Sequence, residues 1–588
     1  MSQDKLTILR NTTQHVLTMA MEILYDNKVK KAMGPSIDDG FYFDFETPKA
    51  LKISKDNFPE IESQIHKLIS LSLPITIDNV SKQTALKIFK DNPYKHHWID
   101  KALETDKQVR IVTIGKEGTD YYFPDVCKDE HLKSTGEIKA FKLLSVAGAY
   151  WLGSEKNKML TRIYGTAFNS PKDLRVFLNN LEEAKKRDHK KLGINLDLFT
   201  FSKLVGSGLA LWTPKGNLLR SILDDFVWDL RREKGYQKVE IPHITKKDLY
   251  VVSGHWDKFK DELFKIDTRE GDLFCMKPMN CPHHTQIFDR KPHSYKEMPQ
   301  RYCNTTMVYR DEQSGELSGL SRVRCITQDD AHVFCRKSQI KQEMSHIWDI
   351  IDAFYKPVGF DLQVRLSLSD PKTPDKYLGE RKDWLEAEEY LRQLAKERGV
   401  KFTEAIGEAA FYGPKLDFMA KDSLNREWQV ATNQLDLNMP NSFDLTCTNE
   451  KGEKERIVMI HAAIMGSIER YLSILIEHFA GAFPTWLSPI QVSVIPISDK
   501  NLAYSTKVFE DLKAQGIRVE LDDSNSTLNA KIRNAQNQKI PHMLIIGDKE
   551  QKNETVSRRS RTGNNYGEQK INKFVKDLQT EIEKKTIN

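Results

Sequence analysis

Apolar residues at Leu218, Leu219, Ile222, Leu223, Phe226, Val227 and Leu230 recur at the spacing of one helix face. Gly235 closes that helix, and a strand follows towards Pro242. Further upstream, LRNTTQHVLTMAMEILY from Leu9 predicts another helix and FYFDF at 41–45 a short aromatic strand, so the region to about Phe168 reads as α+β. Residues 178–192, LNNLEEAKKRDHKKL, are dense in charge and poor in apolar positions, which predicts a solvated linking helix. In the central region VRLSLS at 364–369 reads as a strand and DWLEAEEYLRQLAKERG at 383–399 as a helix. Residues 411–437 read as two paired strands around a turn at Ser423 to Arg426. The most apolar run, Ile457 to Phe483, is broken by His461, Glu469, Arg470, Glu477 and His478. It predicts a buried helix with Arg470 near its middle, not a membrane span. An arginine there is costly unless it meets an anion. After Pro489, QVSVIPI, AYSTKVFEDLKAQG, IRVELDD, NAKIRNAQNQ and HMLIIGD alternate strand and helix, as in a compact α/β unit.

Composition adds bounds to this pattern. A chain of 588 residues exceeds one hydrophobic core, and about three or four domains are expected. The 39% hydrophobic and 29% charged content belongs to the ordinary soluble class. Lys and Arg total 89 against 83 Asp and Glu, a net of +6 that permits an RNA partner without requiring one. From Ser488 onward 17 basic residues face 13 acidic ones, so most of the excess sits in the last unit. Seven scattered cysteines, an odd number, argue against a disulfide framework and for a reducing cytoplasm. Met1 to Arg10 has no apolar core of a secretory signal.

Committed chemistry concentrates in residues 275–336. Arg310, Arg322 and Arg324 flank a glycine- and serine-containing loop, Gly315 to Gly319, an arrangement suited to clamping phosphate or carboxylate. Cys281, His283, His284, Cys303, Asp329, Asp330, His332 and Cys335 share this stretch, but no zinc-finger spacing singles out a ligand set. Near the N-terminus Asn11 and His15 stand at i and i+4, and Cys127 and His131 repeat that spacing. The two pairs line one cleft or belong to two unrelated surface helices.

The ordered strings MKPMNCPHH, YRDEQSGELSGLSRVR and TQDDAHVFC closely resemble the catalytic core of threonyl-tRNA synthetases, a family of class II aminoacyl-tRNA synthetases. AFYGPKLDF at 410–418, WQVATNQLDL at 428–437, HAAIMGSIERY at 461–471 and FPTWLSP at 483–489 agree in order and spacing. The resemblance implies an α+β multidomain chain of bacterial type, without the small N-terminal domain. Its parts would be an α+β editing domain at 1–177, a helical linker at 178–194, an antiparallel-sheet class II catalytic domain at 195–486 and an α/β anticodon-binding domain at 487–588. It further implies activation of L-threonine with ATP and Mg²⁺, transfer to tRNA(Thr), and a homodimer formed through the helix, strand and proline of 206–244.

Carried over by motif position, Arg310 would bind the α-phosphate, Lys415 would lie near it and Arg470 would bind the γ-phosphate. Cys281, His332 and His461 would hold one Zn²⁺. Gln328, Asp330, Tyr412 and Gln434 would contact the amino acid, with Met279 and Arg322 near the adenylate and pocket. Asn525, Glu550 and Arg559 would contact anticodon bases. Asn11, His15, Cys127 and His131 would form the editing site, where the family pattern has histidine in place of Asn11 and Gly-Pro within the Cys127–His131 segment. In the core, Asp311, Cys325 and Ala462 replace the usual asparagine, glycine and arginine. None of the three is an implied ligand, so activation is expected to survive, and editing of seryl-tRNA is expected to be impaired. A prolyl- or seryl-type synthetase would share Arg310 and Arg470 but not the three separated zinc ligands. A non-ligating RNA-binding relative would not need Arg310, Lys415 and Arg470 together.

Overall fold

The computed structural model describes residues 2–587. The chain divides into two compact units, one ending at Glu182 and one beginning at Glu183.

In the first unit the helix Ser2–Leu24 starts seven residues earlier than the apolar pattern predicts. Its middle buries polar residues as well as Val16, Leu17 and Ala20. The hydroxyls of Thr12, Thr13 and Thr18 return hydrogen bonds to the carbonyls four residues back, at Ile8, Leu9 and Gln14, which satisfies them inside the core. This helix packs on an antiparallel sheet whose long strands are Gly40–Glu46, Met159–Phe168 and Ala140–Tyr150. A second sheet orders Ile75–Val80, Val109–Gly115 and Tyr122–Val126. Cys127 and His131 follow its last strand in an irregular loop, so their spacing is not that of a helix.

The second unit is built on an eight-stranded sheet. Its strands in chain order are β1 (Gln237–Lys238), β2 (Gln300–Tyr309), β3 (Cys325–Cys335), β4 (Leu362–Leu368), β5 (Phe402–Ile406), β6 (Lys415–Lys421), β7 (Glu427–Asp436) and β8 (Val458–Ser467). In space they run β1-β2-β3-β8-β7-β6-β4-β5, and only the pairs β1/β2 and β4/β5 are parallel. One face, with Val333, Cys335, Leu416, Phe418, Ile460 and Ala462, joins the main core with the helix Ile340–Tyr355. By strand alternation, the opposite face carries the next residues along each strand.

Two expectations need correction here. The apolar run Ile457 to Phe483 is not one helix: β8 is followed by the helix Ile468–His478, with Ser467 capping it by accepting the Arg470 N–H. A fully buried strand and a buried helix are both continuous apolar runs, and pairing of β8 on both sides decides for the strand. Arg470 therefore lies in the first turn of the helix, where the backbone adds positive potential to its own. The linking segment is two helices, Pro171–Arg187 and His189–Asn195, and the second buries His189 instead of solvating it.

Beyond Pro489 a five-stranded sheet places Val492–Pro496 between the parallel strands Val519–Leu521 and His542–Ile546. Thr555–Ser560 and Asn565–Lys570 extend it antiparallel.

Candidate active site

Register assembles the core site. His332 on β3 pairs with His461 on β8, His461 with Gln434 on β7, and Gln434 with Lys415 on β6, so four predicted site residues form one row. Asp330, two residues before His332, shares that face. Gly413 lets the segment before β6 cross β7 closely, because a Cβ there would sit 1.9 Å from the Leu435 carbonyl. Gln434 Nε2 donates to the Gly413 carbonyl at 3.1 Å, and the buried Tyr412 ring lies 5.0 Å from that of His461.

Cys281 opens the helix Cys281–Asp289, and its thiol reaches the two histidines: ligand atoms of Cys281, His332 and His461 all lie within 4.8 Å of one another, fully buried. The second nitrogen of each ring is engaged elsewhere. His332 Nδ1 meets His284 Nδ1 at 2.8 Å, and His461 Nε2 meets the Asp436 carboxylate at 3.0 Å. One nitrogen per ring is thus left for a metal and the ring is oriented from behind, as metal-bound imidazoles require. Burial pushes the Cys281 thiol well up and, with the neighbouring His284 and His461, pushes His332 well below the usual imidazole range. The neutral nitrogen is ready to ligate, while the thiol would lose its proton to a bound ion. These three residues fit Zn²⁺.

Beside this set a cleft of about 610 Å³ is lined by Arg310, Gln328, Trp428, Thr432 and Arg470, with Arg322 at the loop. Arg310 donates to Met279 Sδ at 3.3 Å and lies over the Phe259 ring, while Arg470 lies over the Trp428 ring. Burial lowers the pKa of both guanidiniums. Among the described residues neither has a carboxylate within ion-pair distance, so two desolvated cations face the cleft awaiting an anion. The other cations are already held. Arg322 pairs with Glu312 at 2.7 Å and Glu316 at 3.2 Å, and Lys415 Nζ contacts Asp417 at 2.8 Å. Asp330 accepts from Asn280 at 3.1 Å, and burial raises its pKa.

In the first unit Asn11 and His15 share one buried helix face, and Cys127 and His131 come to them from the loop: ligand atoms of His15, Cys127 and His131 lie within 4.8 Å of one another. Sequence reading missed two partners. Asp125 contacts His15 Nδ1 at 3.1 Å and Lys95 Nζ at 2.5 Å, all three nearly solvent-free. Burial alone would lower His15, but hydrogen bonds to Asp125 and Cys127 outweigh it and raise its pKa to about 9. Burial and the charge of His15 push His131 down to about 3. The pair is therefore split into an imidazolium and a neutral ring. A divalent ion would have to displace the proton that His15 holds, so this trio fits a metal less well than the core set.

In the α/β region Asn525 lies just past the end of Val519–Leu521 and Glu550 just past that of His542–Ile546. Those strands are parallel to a common neighbour, which puts both residues at one end of the sheet. Glu550 accepts from the Gly547 N–H, and Arg559 stands opposite Met543, towards the other end.

His255, whose Nε2 lies 3.6 Å from Cys281 Sγ, was also missed, and His284, singled out in the sequence with its neighbours, was given no role behind His332. Asp436 carried a signal, since it is two residues past Gln434 on an alternating strand.

Residues 264–479 match the class II core domain of the G, H, P, S and T tRNA synthetases, residues 491–581 an anticodon binding domain, and residues 109–164 the second additional domain of threonyl and alanyl tRNA synthetases. An antiparallel sheet with this arginine pair and these appended domains defines a class II aminoacyl-tRNA synthetase. The chain is 44% identical over 578 residues to a threonine–tRNA ligase of Porphyromonas gingivalis, covering 97% of this chain and 87% of that one. It is 45% identical over 588 residues to that of Clostridium tetani, covering 98% and 88%. A solved RNA binding domain of threonyl-tRNA synthetase from Cryptosporidium parvum superposes with a TM-score of 0.64 at 36% identity, over 67% of this chain and 98% of that one. The chain belongs to the threonyl-tRNA synthetases, the threonine–tRNA ligase family.

Proposed function

We propose that the cleft activates L-threonine with ATP and that the threonyl group then passes to the 3′ end of tRNA(Thr). The observation that carries this is the row His332, His461, Gln434 and Lys415 beside the uncompensated Arg310 and Arg470. The threonine carboxylate attacks the α-phosphorus, forming threonyl-adenylate and displacing pyrophosphate. Such a step needs charge stabilisation more than a base, which Arg310 and Lys415 supply at the α-phosphate and Arg470 at the γ-phosphate. Mg²⁺ accompanies the ATP phosphates.

Cys281, His332 and His461 would hold Zn²⁺, which when bound supplies a Lewis acid for the amino and hydroxyl groups of threonine. A site that must engage the hydroxyl rejects valine, whereas an apolar pocket separates these isosteres poorly. Gln328, Asp330, Tyr412 and Gln434 orient the amino acid, and Met279 and Arg322 border the adenylate. Serine keeps the hydroxyl, so Asn11, His15, Cys127 and His131 serve a second, hydrolytic site. Asn525, Glu550 and Arg559 contact the anticodon. The helix Pro214–Glu233 leaves Leu218 exposed, and together with exposed Leu204 and Val205 this supports a homodimer. No described helix is long and apolar enough to cross a membrane, which accords with a cytoplasmic enzyme.

Threonine-dependent ATP–pyrophosphate exchange, measured with zinc content, tests the reading. Exchange with threonine, weak exchange with valine or proline, and one zinc per chain are expected; no exchange with threonine rejects it.

A further inference from the structure

Within the segment read as a solvated linker, His189 is 4% exposed and both of its ring nitrogens are engaged. Nδ1 lies 2.6 Å from Glu477 Oε1 at the end of the helix Ile468–His478, and the His189 backbone N–H donates to the same oxygen at 3.2 Å. Nε2 accepts the backbone N–H of Leu320 at 3.1 Å. An amide N–H only donates, so Nε2 is unprotonated and the ring proton sits on Nδ1, directed at Glu477. Burial would raise the Glu477 pKa, but its hydrogen bonds to His189 and Arg426 hold it at about 2, and it remains an acceptor.

Leu320 belongs to the arginine loop, and its neighbours Ser318, Ser321 and Arg322 line the cleft. Next to it Gly319 adopts φ +53, and a Cβ there would lie 2.4 Å from His189 Nε2, so the loop is seated directly on the imidazole. Glu477 continues the connection on the other side. It accepts from Arg426 at 2.5 Å, Arg426 reaches Asp422 at 2.7 Å, and Asp422 accepts from Trp428 Nε1 at 2.9 Å. Trp428 is the ring beneath Arg470. One imidazole thus ties the loop above the cleft to the residues below it.

We infer that His189 is a positioning residue for nucleotide binding, which holds the arginine loop over the cleft by accepting the Leu320 N–H and bracing against Glu477. The inference rests on the reading that the cleft takes ATP. It touches neither the threonine row nor the three zinc-binding residues, so its loss should be selective.

The test is ATP–pyrophosphate exchange by the full chain carrying His189→Ala, His189→Gln, His189→Asn or Gly319→Ala. Removing a buried acceptor from an amide should raise KM for ATP about tenfold. KM for threonine and the zinc content should stay within about twofold. Gln places an acceptor where Nε2 was and should recover most of the ATP affinity, whereas Asn reaches only the Nδ1 position and should behave like Ala. Gly319→Ala should raise KM for ATP with His189 left unsubstituted, because the added Cβ would meet its Nε2 and part the loop from the ring. Equal KM for ATP in the wild type and His189→Ala overturns the inference, as does equal loss for ATP and threonine. If Ala does not fold, Gln and Asn decide by their difference, and no difference between them also overturns it. A wild-type protein without threonine-dependent exchange would instead reject the reading of the cleft.

Discussion

His332 and His461 face each other on adjacent strands, register partners with ring centroids 4.8 Å apart at 85°. Each is held from behind, by His284 and Asp436, so neither ring needs to turn to meet the Cys281 thiol. Cys281→Ala is expected to abolish bound zinc and threonine activation together. Asp436→Asn, which weakens only the support behind His461, should lower zinc affinity about 10- to 100-fold, read by competition with a chelator. A folded, zinc-free Cys281→Ala protein that still activates threonine would remove the metal from the scheme.

Arg470 sits in the first turn of its helix with no carboxylate partner among the described residues, so its charge and the backbone dipole act on the cleft together. Arg470→Ala should cut the exchange rate by about 10²–10³. Arg322→Ala should cost less, because that guanidinium already spends its charge on Glu312 and Glu316 at the exposed rim. Comparable losses in the two variants would mean that pairing in the free protein does not predict the contribution to the reaction.

Side-chain alternation and turn chemistry made part of the architecture readable. The turn at Ser423 to Arg426 separates β6 from β7 as expected, and Asn425 takes the left-handed φ of +61 that such a turn tolerates. Local periodicity misled where tertiary pairing decided. β8 is buried along Val458 to Met465 with His461 its one polar side chain there, and so its nearly continuous apolar run resembled a helix. Cys127 and His131 are four apart in a loop, where that spacing says nothing about a shared face. Lys95 and Asp125 were illegible for a different reason: each is an ordinary charged residue in sequence, and only folding places Asp125 between His15 and Lys95. His189 was hidden by the charge of its neighbours.

Asp125 lies between His15 and Lys95, which makes the first unit sensitive to pH. His15 is raised from 6.5 to about 9, so the stability it contributes is complete below about pH 6.5 and is lost as pH rises through about 9. Asp125 is depressed from 3.8 because Lys95 and His15 outweigh its burial; its contribution is present above that value and fades as pH falls. Hydrogen exchange in the helix Ser2–Leu24, corrected for intrinsic rates, should show less protection at pH 9 than at pH 6. Asp125→Asn should flatten that difference. Protection that is the same at both pH values in the native chain would show that His15 does not couple ionisation to folding.

Arg559 is half-buried on its strand, and its Nε has no hydrogen-bond partner. A guanidinium held this way can read the edge of a splayed base. Arg559→Ala should therefore raise KM for tRNA in aminoacylation while leaving adenylate formation unchanged. Loss of both activities to the same extent would make the residue structural.

Editing tests the most unusual residue of the chain. A base that activates water works best with a pKa near the operating pH, and neither Asn11 nor the two histidines beside it meets that requirement. Asn11 cannot take a proton, His15 already holds one at pH 7, and His131 is too weakly basic with its pKa near 3. Asn11 Oδ1 is buried without a hydrogen-bond partner, so it can still orient a water or a ribose hydroxyl. Slow hydrolysis of preformed seryl-tRNA is the expected result, with Asn11→His faster by about tenfold or more. If the native chain already matches the histidine variant, Asn11 does not limit the reaction. If neither hydrolyses the ester, the activity is lost for another reason, and the first segment to test is the altered Lys128 to Glu130, which Arg110 binds through the Lys128 carbonyl at 3.1 Å and Glu130 at 2.9 Å. Arg110→Ala in the Asn11→His background would then release that loop, and recovered hydrolysis would locate the defect there.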